Sequence, residues 1–323
     1  MTITLNNPVA ADEGTPSPAA TGPSRRILTW AKARPWMLIT PALLILAVLM
    51  LWPLLRVVLF SLQDYGLREI VSGDTNFIGL DNYAHIFASP TLWTVVLPNT
   101  VGFAIAAVVG TVTLGTLVAL LMARLGTFWR TIVGSAIMIA WAMPAVTGTY
   151  VWTWIFDADK GIVNQVLMGL GLMNEPFNWF TNQWTFYGIV LLNVIHHGFP
   201  FIAISILAGL LGVSSEMLEA AELDGAGPIR RFFAIILPTL KSVFAVVIIL
   251  STIWDFKVFA QVYLMPGGSG SNREVLNLGV WSYVESFGQN RYGFGSALAV
   301  LLTLVLLVIT VIYVRVMLKE EKR

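Results

Sequence analysis

The 323-residue sequence is 57% hydrophobic and only 11% charged, whereas soluble domains carry about 25% charged residues. That leaves too little polar surface to coat a water-soluble globule, so most of the chain faces lipid or other apolar helices. The formal net charge of +1 says nothing useful about nucleic acid, which is not expected as a partner, because the placement of the charges matters more; the lack of cysteine excludes disulfides, thiolate nucleophiles and Cys-bound metals.

Residues 1–34 are set apart by composition. The run to Ser24 is rich in Pro, Ala, Thr, Gly and Asn without apolar periodicity, and reads as a disordered tail. Arg25, Arg26, Lys32 and Arg34 then crowd ahead of the first apolar stretch. That stretch is too long for a signal peptide and lacks a small-residue cleavage site, so it is read as an uncleaved first span. Six stretches of sufficient length follow one another at 37–61, 95–122, 131–156, 186–211, 242–264 and 294–317. Barrel-type alternation is absent, and only helices satisfy their own backbone in lipid. The expected fold is an all-α membrane protein with one six-span domain over 35–323.

Lys and Arg placement sets the orientation. With a cytoplasmic N-terminus, 13 of the 19 basic residues lie inside, among them Arg124, Arg130, Arg230, Arg231, Lys241 and Arg315. Four (Arg68, Lys160, Arg273, Arg291) lie outside, and Arg56 and Lys257 fall within spans. Both termini are therefore expected in the cytoplasm. The outside loops become 62–94, 157–185 and 265–293, and Trp93, Trp154, Trp179, Trp184 and Tyr292 near their ends suit an interfacial aromatic belt.

The inside loop 212–241 is too long and too patterned for a plain connection. Ser214 or Ser215 can cap a short helix that carries Glu216, Glu219 and Glu222 at i, i+3 spacing. Asp224-Gly225 supplies a stop, Phe232 to Leu237 lead back to the membrane, and Pro238 reads as a break. Physically this is a cytoplasmic helix on the membrane surface, suited to docking on another protein.

Within the spans, polar groups are costly and mark functional candidates. The fifth span holds Ser251, Trp254, Asp255 and Lys257. Asp255 and Lys257, two residues apart, diverge on a helix and cannot simply pair. A carboxylate accepts hydroxyl hydrogen bonds and an indole face stacks on a pyranose, so Ser251, Trp254 and Asp255 suit a sugar pathway; a buried network tying helices together is the other reading. His196 and His197 are adjacent and lack a partner motif, so metal is not expected. Pro144 and Pro200, with Gly148 and Gly198 nearby, free backbone groups in mid-membrane, for bending or for packing.

Glu219-Ala220-Ala221, Asp224-Gly225-Ala226 and Leu237-Pro238 match the EAA signature (E-A-A-x-x-x-G, then L-P) of ABC importer permeases. Phe77 to Tyr83, Gly198-Phe199-Pro200-Phe201 and Asp255 to Phe259 with Tyr263 and Gly267-Gly268 resemble the first permease of two-permease carbohydrate importers of the maltose and glycerol-phosphate types. Lys241 departs from the pattern, where many relatives have proline. The resemblance covers nearly the whole chain beyond the tail. It implies the type I importer permease fold, a bacterial inner-membrane location, and a coupling role for Glu219, Ala220, Ala221, Asp224, Gly225 and Pro238. It further implies substrate contacts at Ser251, Trp254 and Asp255, at His197, Gly198 and Phe201, and more weakly at Thr147.

No P-loop pattern occurs in the sequence. The resemblance accordingly implies that ATP and Mg are bound by a separate pair of ATP-binding subunits, with no cofactor in this chain. It also implies a second permease making a heterodimer, and a sugar-binding lipoprotein or periplasmic binding protein outside. The expected cargo is a di- or oligosaccharide, with a phosphorylated polyol as the alternative that Lys257 keeps open. An ion-coupled transporter using Asp255 and a membrane enzyme are the readings from other classes.

Overall fold

The computed structural model describes residues 37–320, with side chains described to 315. The expected tail at 1–34, with Arg25, Arg26, Lys32 and Arg34, lies outside the described residues. The described residues divide into two units, one ending at Leu55 and the next beginning at Arg56. Helix α1, Met37–Ser61, crosses that division. Its part in the first unit is apolar and almost wholly exposed, as with Leu38, Leu44, Val48 and Leu49.

In the second unit a small antiparallel ribbon pairs β1, Gln63–Asp64, with β2, Asn76–Phe77, around the short helix α2, Leu67–Ser72. Helix α3, Asp81–Ala88, follows. The Asn82 amide donates to the Ser61 and Gln63 carbonyls at 3.0 and 2.9 Å, tying α3 to the end of α1. Four more helices reach spanning length and apolarity: α4, Leu92–Ala123, α8, Gln183–Leu210, the pair Lys241–Tyr263, and α14, which is helical from Tyr292 to Glu320. Two shorter helices, α5, Thr127–Trp141, and α6, Ala145–Ile155, meet at a bend of 92°. Helix α7, Ile162–Gly169, lies in the loop between α6 and α8.

The third expected span is thus two helices at nearly a right angle, where the sequence reads as one crossing. At about 1.5 Å per residue α5 is shorter than the hydrocarbon core, so neither half has the length to cross alone. Pro144 is the cause. Its missing N–H and its constraint on Met143 end α5, and with ψ at 134° it caps α6.

Three other prolines are accommodated by a widened turn and do not break their helices. Pro53, Pro98 and Pro238 each lie two residues beyond a π-turn, at Ala47–Leu51, Leu92–Val96 and Phe232–Ile236. In each case the residue before the proline donates one position further back, for example Leu237 N–H to the Phe232 carbonyl. The widened turn makes room for the ring that would otherwise crowd the i−4 carbonyl. This corrects the reading of Pro238 as a break: the chain stays helical over 228–239, here α10, and turns only at Leu240.

Helices α4 and α8 form the most extensive pair, with α11, Lys241–Phe256, packed on both. Small residues permit the approach, since a Cβ at Gly115 would come within 2.7 Å of Ile202. Two buried apolar clusters result. One, at the expected outer end, gathers Ile86, Val96, Phe103, Phe186, Val262, Val275 and Trp281, and the other, at the inner end, gathers Met122, Ile202, Ile206, Leu240 and Phe244.

Polar side chains lock the outer end. Asn99 donates to the carbonyls of Glu274 and Leu276 at 2.8 and 2.9 Å and accepts from Gln183 at 2.7 Å. Thr100 accepts the Leu278 N–H at the start of α13, Leu278–Tyr283, and Tyr187 donates to the Val275 carbonyl. Trp179 belongs to this inward set as well. Its indole donates to Asn164 at 2.8 Å and its ring packs against Phe156 and Phe177, whereas Trp93, Trp154 and Trp184 are exposed as a belt requires. Replacing Asn99 by Ala leaves two buried carbonyls and one amide unpaired, at a cost of about 1–3 kcal/mol or more. A fall in the thermal unfolding midpoint of the detergent-solubilised protein is expected; an unchanged midpoint would show that the clamp carries no stability.

Candidate functional site

Two places gather the expected functional residues. The first is the loop between α8 and α11. Helix α9 runs from Ser215 to Leu223, capped by Ser214, whose hydroxyl accepts the Met217 N–H. It stops where Gly225 takes a φ of 78°, a left-handed conformation that glycine adopts without a Cβ penalty, and the Ala226 N–H closes back on the Ala221 carbonyl at 2.9 Å.

No residue of α9 is buried. Leu218 alone leans on the inner apolar cluster, while Leu223 is 90% exposed and Met217 and Ile229 stand out beside it. Glu219 and Ala220 share the exposed side, and Ala221 is half-buried. Asp224 ends the helix as its C-cap. Glu222 is held by Arg231 of α10 at 2.6 Å, bracing the loop across the turn. The arrangement is a short helix on a stiff elbow, presenting carboxylates and apolar side chains that its own chain leaves uncovered.

The second place is the middle of the spans. On α8, Asn193, His197 and Phe201 recur at four-residue spacing and share one face. Phe201 meets Trp254 of α11 edge-on at 5.2 Å and stacks with Trp141, the last residue of α5, at 5.9 Å. Higher on the same stripe, Asn193 donates to Thr149 of α6 at 3.3 Å. His197 lies half-buried between these contacts.

Ser251 and Asp255 form a pair of their own on α11. Both are buried, at 2% and 7% exposure, and the hydroxyl donates to the carboxylate at 3.0 Å. Trp254 beside them is 41% exposed. Gly198 packs against α4, where a Cβ would come within 2.9 Å of the Thr111 methyl. Thr147 is exposed, two residues before Thr149 on α6. The structure therefore joins Phe201 to Trp254 and Ser251 to Asp255, and leaves Thr147 and Gly198 apart from either pair.

Trp141, Thr149 and Asn193 escaped the sequence reading. Asn193 carried a signal, being an amide in an apolar span four residues before His197. Trp141 carried none, because only the bend at Pro144 aims it at Phe201. Among the described residues no group of three His, Asp or Glu side chains could hold a metal ion.

Residues 111–319 match the family described as binding-protein-dependent transport system inner membrane component, and the chain belongs to that family. It is a membrane-embedded, non-catalytic permease subunit of an ABC importer. It is 36% identical over 289 residues to the diacetylchitobiose uptake system permease protein DasB of Streptomyces coelicolor, covering 89% of this chain and 88% of that one. It is 32% identical over 280 residues to the sulfoquinovosyl glycerol transport system permease protein SmoG of Agrobacterium fabrum, covering 87% and 89%. Its fold is shared with the crystal structure of a bacterial ABC transporter that imports the acidic polysaccharide alginate. The TM-score is 0.75 at 18% identity, over 90% of this chain and 98% of that one. Family membership sets aside the ion-coupled and enzymatic alternatives.

The tight seat of Gly198 is testable. Gly198→Val overpacks the α4–α8 contact and costs about 1–3 kcal/mol. Adding Thr111→Ala removes the clashing methyl and is expected to recover part of that loss in the same unfolding assay. Full stability of Gly198→Val alone would contradict the close approach.

Proposed function

We propose that this subunit forms half of a translocation pathway for a di- or oligosaccharide and receives the force for it through α9. The observation that carries the sugar reading is the aromatic trio Trp141, Phe201 and Trp254, with its neighbours His197 and Asn193 on one stripe of α8. Indole and phenyl faces meet the apolar faces of pyranose rings, while an amide and an imidazole exchange hydrogen bonds with hydroxyls. The substrates in the names of DasB and SmoG support the same class. Asp255 acts in this scheme through its neighbour: with Ser251 it fixes the turn of α11 that presents Trp254.

The second reading, a phosphorylated polyol, rests on Lys257, exposed three residues beyond Trp254. Competition between an unlabelled neutral disaccharide and a polyol phosphate against the transported sugar separates the two.

For coupling, the exposed side of α9 around Glu219, with Ala220 and Ala221, would seat on a separate ATP-binding subunit. The stop at Asp224-Gly225 and the continuous α10 through Pro238 would carry its displacement to α11. A pair of such subunits, a second permease and an extracytoplasmic binding protein complete the proposed assembly, with ATP and Mg bound outside this chain. The excess of Lys and Arg on one side supports cytoplasmic termini.

Reconstituted with its partner subunits and binding protein, Trp254→Ala is expected to lower sugar uptake about two- to tenfold, the range of one lost aromatic contact. Uptake at the unaltered rate would remove Trp254 from the pathway. Sidedness has its own test, because the chain has no cysteine of its own. Leu223→Cys is expected to react with an impermeant maleimide in inside-out vesicles and not in intact cells; the reverse pattern would invert the topology.

A further inference from the structure

Beside α10 lies an open groove of about 500 Å³. One wall is α4 from Val112 to Leu120, and the other is Pro228, Ile229, Phe233 and Leu237 of α10 with Phe244 of α11. The lining is apolar except for Thr113 and Thr116, and the Thr116 hydroxyl is already spent on the Val112 carbonyl at 2.6 Å. Along α4 the groove extends over about 12 Å of helix axis. Half of a bilayer's hydrocarbon core is about 15 Å. The groove therefore has the length of one leaflet's acyl layer, and it ends where α4 meets the loop.

That end is basic. Arg230 lines a shallow continuation of the groove together with Pro228, Ile229 and Phe233. On the other side of α10 a second cavity, sharing Leu120, Pro228 and Phe232 with the groove, is lined by Arg124 and Arg231. Arg231 is neutralised by Glu222. Arg124 and Arg230 are exposed, and among the described residues neither guanidinium has a hydrogen-bond or ion-pair partner. An apolar slot one leaflet deep, continued at its end by the unpaired guanidinium of Arg230, is complementary to a molecule with a hydrocarbon tail and an anionic head.

We propose that this groove is a binding site for an anionic phospholipid of the cytoplasmic leaflet, its acyl chain between α4 and α10 and its phosphate at Arg230. The inference rests on the inside placement of loop 212–241, which the Leu223→Cys labelling tests separately. Arginine matches phosphate bidentately, and basic pockets between helices on the cytoplasmic side favour anionic headgroups. Because α10 joins α9 to α11, a lipid held there would touch the segment that connects the docking helix to the fifth span.

The test is lipid retention by the intact complex. The assembled importer is purified in mild detergent from bilayers of phosphatidylcholine with phosphatidylglycerol, and the bound lipid is identified by native mass spectrometry. Phosphatidylglycerol is expected to be retained over phosphatidylcholine. Arg230→Gln is expected to weaken retention about fivefold, the worth of one basic group at a membrane surface. Leu117→Trp, which fills the groove and keeps the Arg230 charge, is expected to reduce retention, and Arg315→Gln, at the far end of α14, to leave it unchanged. Equal retention of the two lipids, or equal loss in Arg315→Gln and Arg230→Gln, would overturn the site. So would a cysteine cross-link from Leu117 to a span of the second permease, which would place protein in the groove instead.

Discussion

Hydrocarbon offers no partner to a peptide N–H or C=O, so every proline within a span must be accommodated by the chain itself, and the manner of accommodation shapes this subunit. Pro53, Pro98 and Pro238 are absorbed by a π-turn two residues upstream, and the helices run on. Pro200 sits in α8 without such a turn. Pro144 has no relief, and there the third span folds through 92°. That bend brings Trp141, at the end of α5, onto Phe201, and lets Thr149 of α6 reach Asn193. The contacts that α5 and α6 make with the polar and aromatic face of α8 thus follow from one proline.

The two ends of the second unit are held differently, and the difference suits an alternating device. At the end remote from α9, Asn99, Thr100, Gln183 and Tyr187 fasten the 273–278 segment to α4 and α8 by directional bonds, over a large apolar cluster. At the other end α9 stands nearly free, touching the body at Leu218 and braced to α10 by a single ion pair. Segments with little buried surface move at low free-energy cost, whereas buried directional bonds resist. Beyond α9 the chain runs through Pro238 as an uninterrupted helix before the turn at Leu240. Reading Pro238 as a break would have placed a hinge where the structure has a rod.

Much of this architecture was legible in the sequence because hydropathy over twenty residues is a strong signal. The spans around 95–122, 186–211, 242–264 and 294–317 correspond to observed helices with ends shifted by a few residues, and the short helix of the loop is present with Ser214 as its cap. The pairing of Ser251 with Asp255 follows from i, i+4 spacing and was open to prediction as a network. Outside that reach were the effects that depend on backbone geometry between helices. Neither the stack of Trp141 on Phe201 nor the seat of Gly198 on Thr111 can be derived from spacing along one helix. Trp179, a belt residue by position, is drawn inward by the amide of Asn164, thirteen or more residues of loop having folded back around it.

The account depends most on α9 being the surface through which force enters. A photoreactive benzophenone side chain introduced at Met217, exposed on that helix, measures this directly in the assembled importer. An adduct with the ATP-hydrolysing partner, changing in yield when nucleotide is added, is the result this account predicts. Adducts confined to lipid, or to a protein outside the cell membrane, would contradict it.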